Sequence, residues 1–331
     1  MIESDRQPPD ATQTVEYDTL TRSERLLPEL EFAPEGDGER TFCPSSRGFT
    51  LSKDLSSDGI DVPSYEALVL EDGDWREASN EDVIGTDERV KISNTKVWPH
   101  RCVGKFRTTY PNGKTYIGSG VLVSQNCVLT CAHNVFNMGR GGWGNVVEFR
   151  PAQDGQGTPY GITAAAKLLA PAGYTTSSSR PSQFDYAVVV LSRSIGQEIG
   201  WWGYASESDQ FFNAREFNVT GYPGDKGGRE MWSCQGAIVP GLELLKYNID
   251  TDDGQSGGPV WAQVGNDIVT YGVHITGTSG GNSGVRLTTA RFNQIRGWID
   301  ANAPAERPSL DFLIEHALRE KLRTMKPSLA A

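Results

Sequence analysis

The stretch Asp250-Thr251-Asp252-Asp253-Gly254-Gln255-Ser256-Gly257-Gly258-Pro259-Val260 sets a serine among glycines, behind a polar turn and ahead of an apolar run that opens on Pro-Val. It reads as a tight turn feeding a strand, with the serine hydroxyl at the head of the turn. Gly254 lacks a Cβ, so its peptide can take the unusual conformation that aims an N–H inward. The N–H groups of Gly254 and Ser256 are then candidate donors to a carbonyl oxygen that becomes negative. Gly257 and Gly258 are read as room for an approaching substrate backbone. A plain glycine-rich hairpin produces the same pattern, so Ser256 acquires meaning only from its partners.

Two partners lie upstream. Of the four histidines, His100, His133, His274 and His316, His133 ends the apolar stretch Val128-Leu129-Thr130-Cys131-Ala132. A base placed there is held by a rigid strand, with small residues beside it. Asp185 opens the apolar run Ala187-Val188-Val189-Val190-Leu191, and a carboxylate at such a place is costly to bury unless paired. An isolated Asp here is a strand-edge turn residue. In the order His133, Asp185, Ser256, with gaps of about 50 and about 70 residues, the three match the chain order of one kind of Ser-His-Asp triad.

With these residues in place, the chain resembles the trypsin-like serine proteases, and within them the glutamyl endopeptidase branch. Leu129-Thr130-Cys131-Ala132-His133, Asp185-Tyr186-Ala187-Val188 and Val219-Thr220-Gly221-Tyr222-Pro223-Gly224-Asp225-Lys226 carry the likeness. Gly254-Gln255-Ser256-Gly257-Gly258-Pro259-Val260 departs from the usual pattern in Gly258, where Ser is commoner. The likeness runs from about Val83 to Asn302. It implies an all-β fold of two six-stranded antiparallel β-barrels with a C-terminal helix, preceded here by an acidic N-terminal leader. The expected organisation is a leader over 1–82, a protease domain over 83–302 and a C-terminal helical tail over 303–331. Barrel one is expected at about 97–191 and barrel two at about 211–289.

The resemblance also implies a mechanism and a pocket. Ser256 is the nucleophile, His133 the base and Asp185 its orienting carboxylate, with Gly254 and Ser256 as oxyanion donors. Thr251 and His274 resemble the pair that holds a P1 glutamate carboxylate; a hydroxyl and an imidazole N–H can both donate to it. Asp253 stands at the pocket rim where relatives have Gly, and it opposes an acidic side chain. At ~6 Å and an effective dielectric near 20 that opposition is roughly 2–3 kcal/mol. The expected partners are polypeptide substrates, with no cofactor and no metal. A non-catalytic trypsin-like binding module and a serine esterase using the same triad are the alternatives.

Charge separates the leader from the rest. Residues 1–82 hold 21 acidic and 7 basic side chains, a net of −14, and the remainder holds 21 and 24, a net of +3. The leader is read as a propeptide that covers the cleft and inhibits in cis, against a solvated acidic tail. Its one apolar cluster, Tyr65-Glu66-Ala67-Leu68-Val69-Leu70, reads as a strand. Asn80-Glu81-Asp82-Val83-Ile84 resembles the segment where mature relatives begin, and a cut there frees an amine that in this branch resembles part of the pocket. The familiar zymogen switch, an amine pairing with an Asp just before the nucleophile, is not available, because that residue is Gln255. Met1 to Thr14 shows no apolar signal segment, whereas the resemblance implies secretion. No run of about 18 apolar residues is present, so no membrane span is expected, and a pI near 5.0 argues against nucleic acid as partner. The tail after Pro308 carries Leu310, Leu313, Ile314, Ala317, Leu318 and Leu322 at helical spacing. Cys43, Cys102, Cys127, Cys131 and Cys234 are odd in number; Cys127–Cys131 and Cys102–Cys127 are possible pairs, and the loose spacing does not suit zinc. Trp201-Trp202 reads as core packing.

Overall fold

The computed structural model describes residues 14–18, 23–26, 41–46, 74–75, 83–278 and 281–304. The expected strand at 65–70, the maturation bond at 81–82 and the helical tail beyond 304 lie outside the described residues.

Within the leader, four short strands are β1 (Thr14–Asp18), β2 (Ser23–Leu26), β3 (Thr41–Cys43) and β4 (Asp74–Trp75). β5 (Val90–Lys91) follows. Barrel one then holds β6 (Val103–Thr109), β7 (Thr115–Leu122), β8 (Cys127–Thr130), the small hairpin β9 (Phe136–Asn137) and β10 (Gly142–Trp143), β11 (Val146–Pro151), β12 (Thr163–Pro171) and β13 (Ala187–Leu191). Six of these run in the order β11-β6-β7-β8-β13-β12, and β11 pairs again with β12 to close the barrel. Closure leaves no exposed sheet edge among the six. The Asn112-Gly113 pair turns β6 into β7: Gly113 has φ +79, and the Tyr110 N–H donates to the Lys114 carbonyl across the loop at 3.0 Å.

A linking strand, β14 (Gly203–Ser206), leads to barrel two: β15 (Glu216–Gly221), β16 (Trp232–Pro240), β17 (Leu244–Tyr247), β18 (Pro259–Val264), β19 (Asp267–Thr278) and β20 (Gly281–Arg286). Their order is β18-β15-β16-β17-β20-β19, closed by β18–β19 pairing. The molecule is thus two closed six-stranded antiparallel barrels, as the resemblance implies.

The run Ala187–Leu191 is buried at every position instead of alternating. One face fills barrel one. The C-terminal helix Thr289–Ala301 packs beside this strand, bringing Trp298 to 5.9 Å from Tyr186 between ring centroids. A strand covered on both faces needs no polar side, which explains the continuous apolar pattern. Thr288 caps this helix by accepting from the Arg291 N–H. The Trp201-Trp202 pair divides: Trp202 is fully buried against Trp261, and Trp201 is half-buried beside the leader.

All five cysteines are free, and Cys102, Cys127 and Cys131 are fully buried. Neither pairing considered from the sequence forms.

Candidate active site

β8 runs through barrel one and ends at Thr130. Cys131 is extended, and Ala132–Asn134 form one tight helical turn that presents His133. Asp185 sits where the turn Ser182–Phe184 ends, directly before β13, the strand paired with β8. The two side chains therefore meet because their strands are neighbours. Asp185 Oδ1 accepts from the His133 backbone N–H at 2.9 Å, and Oδ2 lies 2.8 Å from His133 Nδ1. Asp185 is 7% exposed, so its burial is compensated by this pairing. Because a carboxylate only accepts, Nδ1 carries the proton and Nε2 presents its lone pair. Burial pushes the His133 imidazolium toward the neutral form. The Asp185 charge, helped by the adjacent Cys131, opposes this and wins, holding His133 well above its ordinary pKa.

Ser256, from barrel two, is tied to the residue that follows His133. Its carbonyl accepts from the Ser119 N–H at 2.8 Å and from Asn134 Nδ2 at 2.8 Å, and Asn134 is the residue after His133. Its Oγ donates to the Ile275 carbonyl at 3.3 Å. Ser119, in β7, is fully buried between the barrels: its Oγ donates to the Gly254 carbonyl at 2.7 Å and accepts from the Tyr222 N–H at 2.9 Å. The loop around the serine is thus fastened to barrel one by Ser119 and Asn134 together.

The glycines of this loop serve the fold in a way the sequence reading did not anticipate. Gly257 has φ +85, and a Cβ on it would sit 2.2 Å from both the Ser119 carbonyl oxygen and Thr130 Oγ1. A Cβ on Gly258 would meet the Thr220 carbonyl at 2.4 Å. Both positions are kept bare by the chain's own backbone crossing them. Gly254 has φ +95. The carbonyl of the preceding Asp253 accepts from the Gly224 N–H at 2.5 Å. In a trans peptide this turns the Gly254 N–H the opposite way, away from Gly224.

Beside the loop, Thr251 and His274 are both fully buried. Among the described residues, Thr251 Oγ1 has no hydrogen-bond partner. His274 Nδ1 lies 2.7 Å from the Tyr247 hydroxyl. Asp253 is half-buried at the turn. Asp252 Oδ1 faces the other way and accepts from the Asp225 N–H. Asp250, 2% exposed, binds the segment that starts at Val83: its two oxygens accept from the Ile84 N–H at 2.7 Å and the Glu88 N–H at 2.8 Å. Arg89 then bridges Asp87 and Asp225. Burial alone would raise Asp225, but the Arg89 hydrogen bonds and charge hold it below the usual range. Gln255 is buried with its Oε1 on the Asp252 N–H, so the carboxylate that anchors this segment is Asp250.

Sequence reasoning passed over Ser119, Asn134, Tyr247 and Asp250. Ser119 left a trace, a polar residue between two glycines in a strand. A Cβ on Gly118 would strike the Asn134 side chain at 2.3 Å. Tyr247 left none, since its role depends on which strand lies opposite.

Cys131, His133 and Asp185 bring ligand atoms within 4.8 Å of one another, and Cys131 Sγ is 3.4 Å from His133 Nε2. They do not fit a resident catalytic metal. Both Asp185 oxygens are engaged by His133, leaving two donors where a catalytic zinc takes three. Burial also pushes the Cys131 thiol up, toward the protonated form.

A sequence profile of the family described as "Trypsin-like peptidase domain" matches residues 118–269. A Bacillus subtilis protein named "Extracellular metalloprotease" is 34% identical over 221 residues, covering 66% of this chain and 70% of that protein. A glutamyl endopeptidase of Bacillus licheniformis is 29% identical over 231 residues, with the same coverage of each. Among solved structures, a Glu endopeptidase in complex with MPD superposes with a TM-score of 0.57 at 28% identity, over 67% of this chain and all of that one.

Proposed function

The chain belongs to the trypsin-like serine peptidase family, and from that premise we propose that it is an endopeptidase that cuts after acidic residues, glutamate above all. The observation that carries the catalytic part is the two-point grip of Asp185 on His133, with Ser256 pinned one residue away through Asn134. Ser256 Oγ attacks the scissile carbonyl while its proton passes to His133 Nε2. The hydroxyl must turn from Ile275 to do so, and such bonds commonly align only once substrate is bound. Asp185 fixes the tautomer and stabilises the imidazolium. The N–H groups of Gly254 and Ser256 hold the oxyanion, each such donor contributing about 3–4 kcal/mol to the transition state. His133 then protonates the leaving amine, and water releases the acyl group by the reverse sequence.

Thr251 and His274 support the acidic preference. Thr251 has a buried hydroxyl without a partner among the described residues, the state expected of a group reserved for substrate. When Tyr247 donates to His274 Nδ1, the proton of the neutral ring resides on Nε2, which becomes a donor to a carboxylate. A peptide set varied only at P1 tests this. Glu is expected to exceed Gln in kcat/KM, and His274→Ala is expected to lower the Glu value about 10- to 100-fold, the loss of a hydrogen bond to a charged group. Equal use of Glu and Gln, or a preference for basic P1 residues, refutes the pocket and leaves the protease.

The leader we assign as a propeptide that restrains activity in cis until the chain is cut near Val83. The support is the grip of Asp250 on the Ile84 and Glu88 N–H groups, directly beside Thr251, which brings a new terminus to the pocket region. N-terminal sequencing of the barrel-bearing chain of active protein, separated by denaturing electrophoresis, is expected to begin at Asp82, Val83 or close by; full activity with leader and barrels still in one uncut chain overturns the assignment.

A further inference from the structure

The described parts of the leader are built into the sheets of the two barrels. β3 pairs antiparallel with β14, Cys43 opposite Tyr204, Phe42 opposite Ala205 and Thr41 opposite Ser206. Just beyond, Ser46 and Trp201 exchange two backbone hydrogen bonds of 2.9 and 2.8 Å. Asp267 Oδ1 accepts from Ser45 Oγ at 2.8 Å and from the Ser45 N–H at 3.3 Å. β14 belongs to the link between the barrels and itself pairs with β19, so this clip lies on the joint of the molecule.

Gly203 ties this contact to the sequence. A Cβ there would lie 2.4 Å from the Cys43 carbonyl oxygen, 3.1 Å from the Ser45 nitrogen and 3.2 Å from the Pro44 carbonyl carbon. These three nearest atoms are all leader backbone. The approach of the leader accounts for a glycine at 203.

Two further strands attach elsewhere. β1 pairs with β12 over five residues, Thr14 opposite Pro171 to Asp18 opposite Lys167, and β2 adds to β1. β4 runs parallel to β7, Asp74 opposite Thr115 and Trp75 opposite Tyr116. All of these strands lie on the N-terminal side of residue 76, and the piece that carries them is the acidic one, net −14 against +3 for the remainder.

We propose that the leader is a three-point strand clamp, which stays bound to the barrels as a separate chain after the link before Val83 is cut. Strand addition relies on backbone hydrogen bonds, and those do not depend on the covalent link. Three attachments on one piece reinforce each other through effective concentration, so loss of the link does not release any one of them alone. The cut enzyme is then a two-chain particle in which the leader supplies an extra strand at the inter-barrel joint.

The test uses the full chain carrying Ser256→Ala, which removes self-digestion, with the recognition site of an unrelated sequence-specific protease in place of residues 77–82. After that cut, native size exclusion followed by denaturing electrophoresis is expected to show both pieces in one peak. Elution of the leader piece apart from the barrels overturns the proposal. Gly203→Ala and, separately, Asp267→Ala are expected to raise the dissociation constant of the cut leader about tenfold or more, the equivalent of losing a hydrogen bond to a charged group. Near-ultraviolet circular dichroism of each uncut variant checks that the barrels are folded, and the Asp267 variant stands should the Gly203 variant fail that check. A folded variant that retains the leader as tightly as the parent also overturns the proposal, because the clip at 41–46 then carries no binding.

Discussion

Ser256→Ala is expected to lower kcat on a peptide substrate about a million-fold and to leave the fold in place. Loss of a serine nucleophile in another protease of this mechanistic class has an effect of this size. The structural side of the expectation rests on how the loop is held. Its anchors to barrel one are the Ser256 carbonyl, taken by Ser119 and Asn134, and the Gly254 carbonyl, taken by Ser119 Oγ. An alanine keeps both. The hydroxyl itself makes a 3.3 Å bond to Ile275, at the long end for an O–H donor, so its loss is expected to cost no more than about 1 kcal/mol of stability. The matched measurements are kcat, the midpoint of thermal unfolding and stoichiometric labelling by a serine-directed phosphonate. Parent enzyme that takes the label and turns over amide as well as ester substrates excludes both the binding module and the dedicated esterase. A variant that keeps activity refutes the assignment of Ser256.

Much of this arrangement was legible because it depends on local chemistry. A serine in a glycine turn, a histidine at a strand end and a carboxylate opening an apolar run each declare themselves within a few residues. Their order along the chain links them, and the strands alternate or run apolar in ways that the barrels explain. What was not legible depends on parts of the chain brought together by folding. Ser119 joins the barrels only because β7 crosses the loop from Gly254 to Ser256, 135 residues away. Asp250 looked like one of several acids in a polar turn, yet it is the buried one that binds the segment after Val83. Gly257 and Gly258 were correctly singled out for lacking a Cβ, but for the wrong neighbour: the chain's own carbonyls occupy that space. Gly203 offered nothing at all from sequence, since its reason is a leader strand about 160 residues upstream.

Asp185→Asn is expected to lower kcat about ten-thousand-fold, the effect of the same change in the general triad template, and the geometry here explains why an isosteric side chain is insufficient. The two carboxylate oxygens have different tasks. Oδ1 accepts from the His133 backbone N–H, and Oδ2 accepts from Nδ1–H. In the amide, the oxygen stays on the backbone N–H, which leaves the NH2 facing the ring. A donor now meets Nδ1, so the imidazole shifts its proton to Nε2 and loses the lone pair that takes the serine proton. The pH profile should move with it. In the parent, the acidic limb of kcat/KM follows the raised His133 pKa, because only the neutral ring is a base, and activity rises as pH climbs above the ordinary histidine range. Without the carboxylate, burial loses its main opponent, with Cys131 left beside the ring, and disfavours the imidazolium more, so the residual activity is expected to reach its plateau at lower pH than the parent. Burst kinetics and a pH–rate profile for both proteins check the two effects together. A variant within tenfold of the parent, or one whose acidic limb moves to higher pH, refutes the role given to Asp185.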